Sequence, residues 1–369
     1  MDHYNYFVCV RCYTYNHAPY IIDALNGFTM QETSFPFVCA IVDDASTDGE
    51  QEVIDHYLQE QFDLNNESIV RHEETSDYVM TFASHNKNPH CFFVVYSLKY
   101  NHYSIKKSKH PYLTEWTEKA NYIAVCEGDD YWIDPLKLQT QVDIMEKDEQ
   151  VGLVYGQAVQ FFQESQKKGY IIGKYASGID ELVYCNVIPT LTVVYRKELY
   201  DGFDDLYDVN WKMGDYPLWL YLSHQASIRF IDKPLAVYRI LKNSASHSAN
   251  YRKQVEFQES AKEIRLFFSK KYHIGSQELI EQGYYLRRFH LAFNNYKRED
   301  VVLYYKKLKR VSYKDNIRYL CSRSRNVYRI YKTMSFLLFK FKAYFVRYIT
   351  FLKQKSSLSY YMNIMEKRC

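Results

Sequence analysis

FVCAIVDDASTDG, residues 37–49, reads as an apolar strand that runs directly into a loop of carboxylates and hydroxyls. The same grammar recurs on either side. YFVCVRC (6–12) is a buried-strand run, and Asn16-His17-Ala18-Pro19 follows as a turn and helix start, with Pro near the first helical turn. Ile21, Ile22, Leu25, Phe28 and Met30 then keep helical spacing. YIAVC (122–126) leads into Glu127-Gly128-Asp129-Asp130, and Asp134-Pro135 opens a helix running through Glu146. Residues 50–61 read as helix and Ser68–Arg71 as a third short strand. Strand–helix alternation predicts an α/β fold with a mostly parallel sheet and right-handed crossovers. Ligands of such sheets bind beyond the carboxyl ends of the strands, where both acidic clusters fall.

Residues 84–120 carry many His, Lys, Asn and Tyr with little pattern and read as an insertion. From 151 to 241 the pattern turns strand-rich (VGLVYGQAVQFF, LTVVYR, ASIRFI, PLAVYRI), broken by a helix near Tyr216–Ser223. After about 250 everything reads helical. The expected organisation is one α/β domain over 1–248 and a helical region over 249–369.

Charge divides the chain at the same place. Residues 1–250 hold 20 Lys+Arg against 35 Asp+Glu, net −15, and residues 251–369 hold 27 against 9, net +18. The acidic part suits a cation, and the basic part an anionic surface. Only 12 Gly and 8 Pro in 369 residues exclude collagen-like and low-complexity chains. The eight cysteines lie mostly in apolar runs, as buried free thiols would in a reducing compartment. Cys9 and Cys12 form a lone C-x-x-C, but odd spacing on a strand points them to opposite faces. MDHYNYFVCV lacks a basic n-region, so no leader is expected, and no window of 18 apolar residues predicts a membrane span.

Ser46, Thr47 and Asp48 suit a helix cap by themselves. CEGDDYW (126–132) adds Glu127, Asp129 and Asp130 at a second strand end. Adjacent carboxylates repel, and burying either unpaired is expensive. A divalent cation with oxygen ligands, Mg²⁺ or Mn²⁺, removes both problems, and such ions usually complete their shell with substrate phosphates. A nucleotide diphosphate is therefore the natural partner.

The run YNHAPYIIDALNGFTMQ (15–31), then VDDASTDG (42–49), then YIAVCEGDDYWIDPLKLQTQ (122–141), resembles a family 2 glycosyltransferase of GT-A fold, of the bacterial polysaccharide type. NVIPTLTVVYRKE (186–198), MGDYPLWLYLS (213–223) and KPLAVYRILKNSASHS (233–248) extend the resemblance, which covers roughly residues 5–248. It implies transfer of a sugar from a nucleotide-sugar donor, most commonly a UDP-sugar, to a glycan or lipid-linked acceptor with inversion. It implies that Asp43 and Asp44 contact base and ribose, and that Tyr15 and Asn16 line the nucleotide pocket. Asp130 matches a metal ligand and Asp129 a ribose or diphosphate contact. Asp215 matches the catalytic base, while Arg239 or His247 would assist the departing diphosphate, His247 near the metal. Three departures stand out: Glu-Gly-Asp-Asp replaces a literal D-x-D, Gly214 replaces the acid before the base, and Ala45 stands where the family usually has Gly. Asp215 also suits a helix N-terminus, and Arg239 a structural ion pair.

Residues 316–365 contain no Asp or Glu. Arg325, Arg329, Lys332, Lys340 and Arg347 fall within about an 80° arc at 100° per residue. Phe336–Phe339, Phe341, Tyr344–Val346 and Ile349 fill the remainder. The segment 324–352 is expected to lie on an anionic membrane surface, which makes the protein cytoplasmic and peripheral on the inner face of the membrane. The alternative is a helix packed on residues 251–310. No nucleic-acid-binding signature is present, so no nucleic-acid partner is expected. Two competing functions remain: a catalytically inactive membrane-associated scaffold with the same fold, and a nucleotidyltransferase. No G-x-G-x-x-G follows a strand and no P-loop occurs, which disfavours dehydrogenases and P-loop enzymes.

Overall fold

The computed structural model describes residues 6–242 and 250–338. The described chain divides into two compact units, Met1–Ile280 and Glu281–Cys369. The strands are β1 (Tyr6–Thr14), β2 (Phe37–Asp43), β3 (Phe62–Asp63), β4 (Arg71–Glu74), β5 (Tyr78–His85), β6 (Cys91–Leu98), β7 (Ala120–Val125), β8 (Tyr131–Trp132), β9 (Val151–Phe162), β10 (Lys167–Ile172), β11 (Val194–Arg196) and β12 (Ser227–Ile240). The helices are α1 (Ile21–Thr29), α2 (Glu50–Gln61), α3 (Pro111–Glu118), α4 (Lys137–Lys147), α5 (Ile179–Leu182), α6 (Asp215–Gln225), α7 (Tyr251–Tyr272), α8 (Gln277–Asn294), α9 (Arg298–Lys307) and α10 (Tyr313–Ser322).

The strands form one mixed sheet in the order β3-β5-β6-β2-β1-β7-β11-β9-β12-β8, with β4 on β5 and β10 on β9. Its centre, β6-β2-β1-β7, is parallel. Every residue of β2 is buried, as a central parallel strand covered on both faces requires. Val38, Ala40 and Val42 face one core; Phe37, Cys39 and Ile41 face the other. Helices α1, α2 and α4 cover the second core, and α3, α6 and α7 the first. At roughly 1.5–3 kcal/mol per fully buried large apolar side chain, this double burial outweighs the surface ion pairs, worth about 0–1 kcal/mol each. Cys9 faces the first core and Cys12 the second, and the described cysteines are all free.

The stretch 84–120 carries β6, a buried strand beside β2, and α3. Its apolar run CFFVVYSL is masked in sequence by His-, Lys- and Asn-rich flanks. The third strand falls at Arg71–Glu74, and β12 joins two runs across bulges near Pro234. The helical region after 250 starts within the first unit: Ile264 and Phe268 of α7 enter its core. The second unit packs Tyr284, Phe289 and Phe293 of α8 against Val301 and Tyr304 of α9.

Parallel register sets Thr14, Asp43 and Ser97 abreast at the carboxyl ends of β1, β2 and β6. The loops that follow β1 and β2 are locked together. Asn16 accepts the Thr47 N–H at 2.8 Å and donates its own N–H to Ser46 Oγ at 2.8 Å. Asp48 accepts the Ala18 N–H at 3.0 Å. The close approach puts Asn16 and Ala45 in the left-handed region, at φ 56 and 59. Asn tolerates this, whereas Ala is strained by about 1–2 kcal/mol. Glycine at 45 would relieve that strain and give back roughly 0.5–1 kcal/mol of unfolded-chain entropy. Ala45→Gly should therefore raise stability by up to about 1 kcal/mol, read as a higher urea midpoint at unchanged slope. A lower midpoint would show that the loop carries no strain.

Candidate active site

Asp43 is buried at the end of β2. Its Oδ1 accepts from the Ser46 N–H at 3.0 Å and from Gln51 at 2.6 Å, while its Oδ2 has no hydrogen-bond partner among the described residues. Asp44, also buried, accepts the His102 N–H at 2.7 Å, the Tyr103 N–H at 3.2 Å and Lys109 Nζ at 2.7 Å. Glu50 bridges the two loops: it accepts from the Thr14 hydroxyl, the His17 N–H and the Ser46 hydroxyl. Burial pushes its carboxyl above the ordinary range despite those donors.

Beyond β7, Glu127, Asp129 and Asp130 occupy a tight turn. Gly128 makes it possible: a Cβ there would stand 2.1 Å from Thr14 Oγ1. Asp130 is buried and its Oδ1 accepts the Arg239 N–H at 2.7 Å. Burial, then repulsion from Asp129, holds the Asp130 carboxyl well above its usual value. Asp129 is half-buried, with Oδ2 3.9 Å from His17 Nε2. Glu127 is solvent-exposed, with protein packed close to its carboxyl. That surrounding protein, with Asp129 and Asp215, pushes its carboxyl up to about 7, and Lys109 pulls in the opposite direction. The water it still touches moderates this shift.

Asp215 begins α6, where a helix N-terminus favours negative charge. Its Oδ2 accepts from the Thr190 hydroxyl at 2.6 Å and its Oδ1 from the Tyr216 N–H at 2.7 Å. Gly214, not Asp215, is the residue capping α6. Three separate segments thus come within electrostatic range of one another, because Glu127 feels both Asp215 and the Asp44-bound Lys109.

Arg239 directs its donors into protein: Nε to Gln163 at 3.0 Å, Nη1 to the Asp129 carbonyl at 2.6 Å and Nη2 to Asp23 at 2.5 Å. The Tyr20 and Tyr131 rings lie 4.8 and 5.1 Å from it. Tyr15 is exposed, Asn16 holds the loop, and His247 lies outside the described residues. Sequence reasoning assigned no individual role to Glu50, His17 or Lys109, and expected the segment around Thr190–Thr192 to shape the acceptor side. His17 adjoins Asn16 and follows the motif, whereas Lys109 sits in the pattern-poor stretch and carries no sequence signal.

Among the described residues no three His, Cys, Asp or Glu side chains converge on one point. A Mg²⁺ or Mn²⁺ ion held by one or two carboxylates and substrate phosphates needs no such cage. The carboxylate oxygens of Glu127 and Asp129 are donors of the hard type that such a cation takes.

No family model matches the chain. The uncharacterized protein Rv1520 of Mycobacterium tuberculosis is 27% identical over 239 residues, covering 64% of this chain and 59% of that protein. The uncharacterized protein Mb1547 of Mycobacterium bovis matches to the same extent. The chain thus spans about three fifths of the length of these curated relatives. Among solved structures, S. aureus TarS 1–349 in complex with UDP is similar at TM-score 0.49 and 13% identity, over 86% of this chain and 78% of that chain. The mannosyltransferase PcManGT from Pyrobaculum calidifontis, in complex with GDP-Man and Mn²⁺, is similar at TM-score 0.46 and 15% identity, over 77% and 70%.

The raised carboxyls set a pH dependence. A folded-state pKa near 7 for Glu127 against 4.5 unfolded means that the folded state binds more protons between those values. Stability therefore falls as pH rises from about 4.5 to 7 through this group. Glu127→Gln should melt higher than the parent at pH 8 and no higher at pH 4, in thermal melts without added metal. Equal melting at both pH values would remove Glu127 from the strained set.

Proposed function

We propose that this chain is a metal-dependent glycosyltransferase of the family 2, GT-A type, moving a sugar from a nucleotide diphosphate, with a UDP-sugar as the leading candidate. The observation carrying this reading is that Asp43 and Asp44, and Glu127 to Asp130, follow the carboxyl ends of the parallel strands β2 and β7, with Asp215 within electrostatic range of Glu127.

In this reading the buried, unpartnered Asp43 Oδ2 awaits an N–H or O–H donor from the nucleoside, and Asp44 keeps the 101–103 turn and Lys109 in place. Tyr15 and Asn16 line the same end. Asp129, with Glu127, would hold the cation, which supplies charge neutralisation for a diphosphate leaving group. Asp130 and Arg239 are positioning residues that brace this turn. Asp215 takes the proton of an acceptor hydroxyl as that oxygen forms a bond to the anomeric carbon. The bond from that carbon to the phosphate oxygen breaks and its electron pair leaves with the diphosphate, so configuration inverts. Thr190 and the Tyr216 N–H fix the orientation of the Asp215 carboxylate.

A thermal-shift panel of nucleotide sugars with Mn²⁺ tests the donor, because a ligand bound only by the folded state raises the melting point. Asp215→Asn should keep the donor shift and lose at least about 100-fold in transfer. Transfer within tenfold of the parent would move the base elsewhere. Pyrophosphate release from a nucleoside triphosphate would instead identify a nucleotidyltransferase, and no nucleotide binding at all would favour a scaffold.

We further propose that the basic C-terminal segment seats the protein on an anionic membrane, near a lipid-linked glycan acceptor. Residues 325–338 are helical, and Val327, Ile330, Met334, Leu337 and Leu338 are exposed; the rest of 324–352 lies outside the described residues. No described helix is long and apolar enough to cross a membrane. Deleting 324–369 should abolish co-sedimentation with anionic vesicles while preserving nucleotide binding. Retained sedimentation would exclude the segment as the anchor.

A further inference from the structure

A second crevice opens on the first-core face of the sheet, between α3 and the 3₁₀ turn Lys197–Tyr200. It encloses about 160 Å³, room for roughly five waters at ~30 Å³ each. Arg11, Ile123 and Tyr195 form its floor, and Thr114, Thr117 and Tyr200 its walls.

Arg11 is the unusual member. It projects from the middle of β1, the central strand, where its neighbours Val8, Val10 and Cys12 are fully buried. Its guanidinium meets tyrosine hydroxyls alone, Nη1 donating to Tyr195 at a long 3.4 Å and the side chain also interacting with Tyr13. Its Nε is buried without a partner, and no described carboxylate lies within ion-pair distance of it. The Tyr13 and Tyr200 rings, at 5.9 and 6.0 Å, offer only their faces and hydroxyls. Arg11 is half-buried, and a cation partly withdrawn from water is ordinarily paired with a carboxylate. Arg239 shows the ordinary solution in this same protein: its donors end on a carboxylate, an amide and a carbonyl.

Three acids line the crevice, Glu118, Asp201 and Asp204, none within ion-pair distance of Arg11. Asp204 accepts the Tyr200 hydroxyl at 2.6 Å, and Asp201 lies 3.7 Å from Lys197. The lining thus combines the Arg11 guanidinium and Lys197 with the hydroxyls of Thr114 and Thr117 and these carboxylates. We infer that this crevice is a binding site for an oxyanion, a phosphate or a carboxylate, carried on a hydroxyl-rich body such as a sugar, with Arg11 as its fixed cation. The guanidinium fork matches either oxyanion bidentately, and the threonines and acids suit sugar hydroxyls. This inference does not depend on the transferase reading. Tyr13 separates the two sites, with Lys109 of the cleft 5.5 Å from the same ring.

The test uses the full chain in a phosphate-free buffer, with ionic strength held constant by chloride. Melting temperature is followed against inorganic phosphate and, separately, glucuronate. Saturable stabilisation by at least one of them is expected, with apparent affinity at least about tenfold weaker in Arg11→Met. Any anion held at the carboxylate-rich cleft is common to both proteins and cancels. Arg252→Met, which removes an exposed cation elsewhere, should behave as the parent. Arg11→Gln carries the same expectation as Arg11→Met and serves if the apolar variant does not fold. Tighter phosphate binding points to a phosphoryl-bearing ligand and tighter glucuronate binding to a sugar acid. Equal affinity in parent and Arg11 variants, or no saturable shift beyond chloride with either anion, overturns the proposal.

Discussion

Arg239 ties together parts of the chain that share no local structure. Its donors reach Asp23 on α1, the Asp129 carbonyl after β7 and Gln163 after β9, and its own N–H holds Asp130. A buried arginine is expensive unless every donor is used, and breaking such a set costs about 3–5 kcal/mol. The acidic turn is therefore held at one position and orientation by a cation that is not itself turned toward the cleft. The carboxylates that remain free to meet a ligand, Asp129 and Glu127, inherit that fixed geometry.

The same turn concentrates more negative charge than the protein neutralises. Lys109 and His17 approach it, yet Glu127 and Asp130 both titrate above their ordinary range. Folding alone leaves the site electrostatically strained, which is the usual condition of a site whose charge balance is completed by a ligand. On the opposite side of Tyr13 the imbalance has the other sign, in the unpaired Arg11. Two unsatisfied charges of opposite sign thus flank one strand of the central sheet.

Much of this was legible in the sequence. Long apolar runs ending in acids identify β1, β2 and β7 because a strand covered on both faces must be apolar throughout, and the acids mark where it emerges. The residues that the sequence singled out at these ends do line the loops. What could not be read is contact across the fold. Lys109 and His102 come from a stretch with no periodicity, and their importance arises only when Asp44 accepts from them. Arg239 was visible as a charged residue in a strand, but not its partners, which lie 76 to 216 positions away. Glu50 looked like an ordinary first-turn acid of a helix. Its buried bridging position follows from two loops meeting, which no single segment encodes.

Gly128 carries a consequence for any attempt to re-engineer the cation preference. With Thr14 Oγ1 2.1 Å from where a side chain would start, the middle position of Glu-Gly-Asp has no room for an added atom. Any side chain there would have to displace Thr14 and Ile21, where the end of β1 and the start of α1 close on this turn, so the loop can be redesigned at Glu127 far more readily than at its centre.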